Sequence, residues 1–390
     1  MSHYSFDHVV NRKQTQSVKW DKTDTFFGSS DVLPLWVADM DFLAPPDVLN
    51  ALQERVNHGV FGYSATSSET SSALTQWLQR KHQWSVNEDS IVYSPGIVFA
   101  ISMAIQAFTK QGDHILIQSP VYTPFFEMVK LNDRQVVENP LHLKDDRYEI
   151  DFTDLEEKLA NDIKLMILCS PHNPVGRVWT REELTKIAAL CIKYNVLLLS
   201  DEIHSDLIYQ SHKHIPISSL DDQIAKQTIT CVAPSKTFNI PGLQASAIII
   251  PNEQLREAYN KQQQKQGFFT LNTFGIIAIE AAYRKGDAWL NDLLLYLEEN
   301  VKLVESFIQS KLPDLRVIKP EGTYLMWIDF RNLNMTDEQF NHLLLHKGKV
   351  AVEPGTKYGE NGSGFVRLNI ACPRSTLLEG LERIERALST

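Results

Sequence analysis

The stretch Ile229-Thr-Cys-Val-Ala-Pro-Ser-Lys-Thr-Phe-Asn-Ile-Pro-Gly242 joins a short apolar run to a polar segment that opens with a proline and closes on Pro-Gly. Four apolar or β-branched residues bounded by turn formers read as a strand buried on both faces. Moving outward, the same plan recurs. Ile91 to Ser94, Ile115 to Gln118, Leu165 to Cys169, Val196 to Ser200 and Ser246 to Ile250 are each short and apolar, with amphipathic helical patterns between them. Such alternation predicts an α/β unit with a largely parallel sheet covered by helices. One intervening helix has a readable start, because Thr180 followed by Glu182 and Glu183 is a capping pattern and Leu184, Ile187, Leu190 and Cys191 supply a buried stripe.

The chain has 390 residues, 43% of them hydrophobic, which exceeds the size at which a single core usually stops growing. Two domains are therefore expected: residues 1–45 as an N-terminal arm with part of a small domain, 46–285 as a large domain, and 286–390 as a small C-terminal domain. After Pro251 the pattern changes to longer helical segments, including Ala288 to Leu312, then strand-like Tyr324 to Phe330 and Phe365 to Ile370, and a last helix from near Ser375. This predicts an α+β second unit. The first 45 residues show no clear period, so they are expected to pack as an arm against the second domain or a neighbouring subunit.

No stretch approaches the roughly 20 apolar residues of a membrane span, and the first residues lack an apolar signal segment, so a cytoplasmic protein is expected. The net charge of −10 argues against nucleic acid as a general partner, since phosphate contacts need concentrated Lys and Arg. Cys169, Cys191, Cys231 and Cys372 are scattered without metal-ligand spacing and read as small hydrophobes, with no metal site expected.

The strand ends carry different functional groups, each with a plainer reading beside it. Tyr93-Ser-Pro-Gly96-Ile97-Val98 turns from a strand straight into a helix, whose free N–H groups can hold a phosphate; standing alone it reads rather as an ordinary turn. Tyr122, between Pro120 and Pro124, can stack on a flat ring or simply pack. Asn173, in Ser170-Pro-His-Asn-Pro-Val-Gly176, can read a phenolic oxygen, while Asn-Pro is also a good turn former. The run Val196 to Ser200 delivers Asp201-Glu-Ile-His204, and a carboxylate ending a buried strand costs several kcal/mol unless a cation meets it. Lys236 would be a solvated lysine if it stood alone. Together, phosphate, stacking, amide, carboxylate and amine chemistry at successive strand ends are what pyridoxal phosphate requires.

With these residues in place the chain resembles the fold-type I, aspartate-aminotransferase-like superfamily, and within it the MalY/PatB branch of cystathionine beta-lyases, or carbon-sulfur lyases. The likeness runs through Ser17-Val-Lys-Trp-Asp21, Trp36-Val-Ala-Asp-Met-Asp-Phe42, Phe61-Gly-Tyr63, Asp201-Glu-Ile-His204, Ser235-Lys-Thr-Phe-Asn239 and Phe365-Val-Arg-Leu-Asn-Ile-Ala-Cys-Pro-Arg374. It implies a large domain with a mostly parallel seven-stranded sheet, a smaller α+β domain, and pyridoxal 5'-phosphate as cofactor. It further implies Lys236 as the Schiff-base lysine and proton carrier, Asp201 opposite the ring nitrogen, Asn173 at the phenolic oxygen and Tyr122 on the ring, with Lys236, Tyr122 and Asp201 as the catalytic set. The Gly96 turn with the N–H groups of Ile97 and Val98, together with a partner subunit's copy of Tyr63, would hold the phosphate, and Ser235 and His204 would also bind the cofactor. Arg367 would bind the substrate α-carboxylate, with Tyr63 and Ala38 also near the substrate.

The sequence departs from aspartate aminotransferases at Gln244 and Ala233, where they carry a phosphate-binding Arg and a Ser, and at His204, which stands where a Tyr contacts the phenolic oxygen. Such a site can eliminate a thiolate from Cβ of a thioether amino acid or transfer its amino group, and the local motifs serve both. The whole-chain resemblance favours the lyase working as a homodimer with shared sites. An aminotransferase, and an interaction protein that modulates a transcription regulator, are the competing readings.

Overall fold

The computed structural model describes residues 4–389. Seven strands form the main sheet: β1 Ile91–Ser94, β2 His114–Ile117, β3 Gln135–Glu138, β4 Ile163–Cys169, β5 Leu197–Asp201, β6 Thr228–Val232 and β7 Ser246–Ile249. Their order is β1-β7-β6-β5-β4-β2-β3. The run from β6 to β3 is parallel, whereas β7 is antiparallel to both β1 and β6. Six strands lie where the apolar runs put them, within a residue or two. The seventh, β3, escapes that reading because Gln135 and Glu138 bracket only two valines, as suits an edge strand with one side in water.

The pleat sends alternate residues of each strand into different cores. Leu165 and Ile167 of β4 join a cluster with Ile101 and Ala104 of helix α1 (Ile97–Phe108), while Met166 and Leu168 join Leu184, Ile187 and Cys191 of helix α3 (Arg181–Lys193). Between these helices in sequence lies α2, Thr123–Leu131. The start of α3 is the expected reciprocal cap: Glu183 N–H donates to Thr180 Oγ1 (3.2 Å), and Thr180 N–H donates to Glu183 Oε2 (2.8 Å). With helices on both faces, the sheet leaves its strand ends as the place where polar groups collect.

Toward the C-terminus, helix α4 (Asp287–Lys311) precedes a four-stranded antiparallel sheet ordered β8-β9-β11-β10, with β8 Arg316–Ile318, β9 Leu325–Asp329, β10 Glu353–Pro354 and β11 Phe365–Asn369. Helix α5, Arg374–Leu388, closes the chain. The expected arm packs on this part of its own chain. The Phe6 ring meets Trp289 and Tyr296 of α4 at 5.5 Å and Phe42 at 5.0 Å, and Leu33–Pro34 pairs in parallel with Val350–Ala351. All four cysteines are buried and free. Among the described residues no helix is long and apolar enough to cross a membrane.

Candidate active site

The ends of β4, β5 and β6 are level, because Cys169, Asp201 and Cys231 are Cα partners across the sheet. Three loops therefore leave the sheet side by side and bring Asn173, His204 and Lys236 around one cavity of about 340 Å³. Gly96, Ile97, Val98, Tyr122, Asp201, Ser235, Ala38 and the two departures Gln244 and Ala233 also line it. Local sequence explains each placement. Gly96 precedes the first turn of α1 without a side-chain cap, so the N–H groups of that turn remain free for a ligand. Pro234 opens a single helical turn, Pro234–Thr237, that carries Lys236.

Asp201 is the last residue of β5 rather than the first beyond it, and it is 3% exposed. Burial pushes its carboxyl up to about 7, against the opposing pull of the Ile203 N–H, which donates to Oδ1 at 3.1 Å, and of the Lys236 charge. The reverse holds for Lys236, whose amine burial holds down at about 8 while Asp39 pulls the other way. Its Nζ donates to the Ala38 carbonyl at 2.6 Å, an oxygen that also accepts from the Tyr324 hydroxyl at 2.9 Å. Burial and the Asp201 charge raise the Tyr122 phenol to about 12. His204 is held down at about 3 by burial, so its imidazole is neutral; its Nδ1 is buried without a partner and its ring stands edge-on to Tyr324 at 5.9 Å.

Arg367, on β11, lies behind Asn173. Its Nη1 donates to Asn173 Oδ1 (3.3 Å), its Nη2 to the Trp36 carbonyl (2.6 Å), and its buried Nε has no partner. Two predicted residues are not in the cavity lining: Arg367, which reaches it only through Asn173, and Tyr63. Tyr63 is fully exposed, in an apolar stretch with exposed Val60 and Phe61.

Sequence reasoning assigned no task to Asn239, Asn369 or Arg12, although all three hold the loop that carries Trp36 and Ala38. Asn239 accepts from Met40 N–H (2.9 Å) and donates to the carbonyls of Met40 (3.0 Å) and Phe42 (2.7 Å). Asn369 donates to the carbonyls of Val37 (2.5 Å) and Asp39 (2.6 Å). The available signal was an Asn just beyond each of the two cationic site residues.

The cavity suits pyridoxal 5'-phosphate on its own chemistry. It has the volume of a small-ligand site. A helix start open to an anion, a buried carboxylate in need of a cation, an amine held near neutrality and an unpartnered buried ring nitrogen converge on it.

Residues 30–384 match the model of the aminotransferase class I and II family. The chain is 51% identical over 386 residues to cystathionine beta-lyase PatB of Bacillus subtilis (strain 168), covering 99% of this chain and 100% of that protein. The solved structure of cystalysin from Treponema denticola, which contains pyridoxal 5'-phosphate, superposes with a TM-score of 0.96 at 38% identity, covering 99% of this chain and 98% of that one. The pyridoxal-phosphate-bound C-S lyase from Staphylococcus hominis gives 0.93 at 34% identity over the same shares.

Proposed function

The chain belongs to the class I and II aminotransferase family, and we propose that within it the protein is a pyridoxal-phosphate-dependent carbon-sulfur β-lyase. On this reading it splits a cysteine thioether such as cystathionine into a thiol, pyruvate and ammonia. The observation that carries the reading is the 51% identity, over essentially the full length of both chains, to a cystathionine beta-lyase. The cavity chemistry described above supplies the parts.

When bound, the cofactor supplies an electron sink that makes the substrate Cα–H acidic. The residues of this chain do the rest. Lys236, with its amine near 8, holds the cofactor between turnovers; released from it as a neutral amine, it takes the proton from Cα. Asp201 supplies the buried negative charge that favours a protonated ring nitrogen, and the same pairing offsets the cost of burying Asp201. Asn173, with the neutral His204, would hold the phenolic oxygen of the cofactor, and Tyr122 would pack against its ring. The N–H groups of Ile97 and Val98 with Gly96 and Ser235 take the phosphate. Arg367 would bind the α-carboxylate and so fix the orientation of the Cα–H bond. A phenol held near 12 stays protonated and uncharged at neutral pH, as a side chain packed against a neutral ring face would need to be.

The proposal includes a homodimer in which a partner's Tyr63 completes each phosphate site. The exposed apolar stretch around Val60 and Phe61 supports it.

Purified enzyme is tested with cystathionine or an S-alkyl-cysteine while free thiol and pyruvate are followed. Equal amounts of both, without an added 2-oxo acid, are expected. Turnover that needs a 2-oxo acid and releases no thiol would make the protein an aminotransferase instead.

A further inference from the structure

The loop Trp36–Phe42 touches both cationic residues of the site through its main chain. The Trp36 carbonyl accepts from Arg367 Nη2 and the Ala38 carbonyl from Lys236 Nζ, each at 2.6 Å. Two kinds of anchor hold it. Asn239 and Asn369 lie three and two residues beyond Lys236 and Arg367, so those bonds move with the site itself. The other anchor is ionic and comes from the N-terminal arm. Arg12 Nη1 donates to Asp39 Oδ1 (3.0 Å), Asp41 Oδ1 (2.7 Å) and the Met40 carbonyl (3.0 Å), and Nη2 donates to Asp39 Oδ2 (2.6 Å). Lys19, which is fully buried, donates to Asp41 Oδ2 (2.7 Å).

Two cations and two carboxylates at such distances form a closed neutral cluster, and removing one member leaves a poorly solvated charge behind. The cluster ties the loop to a segment whose Phe6 packs on Trp289 and Tyr296 of α4. We propose that Arg12 is a positioning residue for amino-acid binding: through Asp39 and Asp41 it sets where the Trp36 carbonyl stands, and thereby how Arg367 is presented to the incoming α-carboxylate. The inference rests on the role given to Arg367 above. It extends the site to a residue that touches neither cofactor nor substrate. Because one Nη2–H of Arg367 is held by the Trp36 carbonyl while its Nε has no partner, that bond fixes which N–H groups are left for a carboxylate, and a loop allowed to wander presents a less ordered arginine.

The test uses cofactor-loaded full-length protein with Arg12→Gln, Arg12→Lys and Asp39→Asn. The dissociation constant for L-alanine, which has no leaving group on Cβ, is read from the change in cofactor absorption. Arg12→Gln and Asp39→Asn should each weaken binding about tenfold, the size of one charge-assisted hydrogen bond. In Arg12→Gln the KM of an S-alkyl-cysteine should rise in parallel while kcat stays within about twofold, and Arg12→Lys should recover part of the loss. Amide hydrogens of residues 36–42 should exchange faster in Arg12→Gln. Should Arg12→Gln fail to fold, Asp39→Asn, which keeps the side-chain shape, gives the same reading. An unchanged alanine constant in the folded variants overturns the proposal, as does a loss confined to kcat. Alanine binding does not require carbon-sulfur cleavage, so a parent enzyme that binds alanine but releases no thiol overturns the lyase reading and leaves this one standing.

Discussion

The amine of Lys236 donates across 2.6 Å to the carbonyl of Ala38, a residue 198 positions earlier in the chain. Lysine Nζ has three donors and no acceptor, so in this state the loop carbonyl is its strongest partner, and the neighbouring Asp201 and Asp39 act on it only through their charge. The amine is thus kept inside the cavity without an ion pair to hold it protonated.

That arrangement predicts a titration. Burial lowers the Lys236 amine from its ordinary 10.5 to about 8. Between those values the unfolded chain binds a proton that the folded chain lacks, so this group's contribution to stability rises with pH across the window from about 8 to 10.5. In cofactor-free protein, the rate at which pyridoxal phosphate is captured should rise through pH 8 and flatten by about 9. Capture that keeps rising past pH 10 would mean an ordinary, solvated lysine.

Asp201 should behave in the opposite sense. Its carboxyl is raised to about 7, so between roughly pH 4 and 7 the folded chain keeps a proton that the unfolded chain has lost. Stability of cofactor-free protein from this group therefore falls as pH climbs through that window. Asp201→Asn removes the titration and keeps an acceptor for the Ile203 N–H. The variant should be at least as heat-stable as the parent at pH 8 without cofactor, while turnover of the loaded enzyme drops on the order of a hundredfold. A variant that is less stable at pH 8 but fully active would contradict both halves.

Asn239 takes a left-handed backbone (φ +54°) and makes three hydrogen bonds to the 40–42 main chain. Replacement by Ala forfeits all three and strains the backbone, for a loss of about 3–4 kcal/mol in denaturant unfolding. Asn239→Gly relieves only the strain, recovering about 1 kcal/mol. Equal stabilities for Ala and Asn would show that the loop is held elsewhere.

Sharing of Tyr63 between subunits is checked by mixing two inactive proteins, Lys236→Ala and Tyr63→Ala. In a random mixture half the dimers are mixed and each has one intact site, so about one quarter of parental activity should return. No recovery, with dimers confirmed to exchange, would place Tyr63 outside the neighbouring site.

The readable parts of the molecule were those that leave a local signature. Apolar runs of strand length marked β1, β2 and β4 to β7, and the Thr180–Glu183 cap marked the start of α3. Most residues of the cavity lining were legible because β1, β2, β4, β5 and β6 each lead into a distinct functional group. The reversed direction of β7 was not, since Ser246 to Ile249 is as apolar as its parallel neighbours and sequence period carries no polarity. Nor was the work of Arg12, Asn239 and Asn369. Their partners are main-chain carbonyls and carboxylates of one loop, and contacts between segments so far apart leave no spacing pattern in a single chain.

The central claim is that Lys236 is the residue joined to the cofactor, and borohydride reduction of loaded protein followed by peptide mass mapping tests it most directly. The account predicts a pyridoxyl phosphate adduct on the peptide containing Lys236, and none in Lys236→Ala treated identically. An adduct on another lysine, or an undiminished adduct in the Lys236→Ala protein, would contradict it.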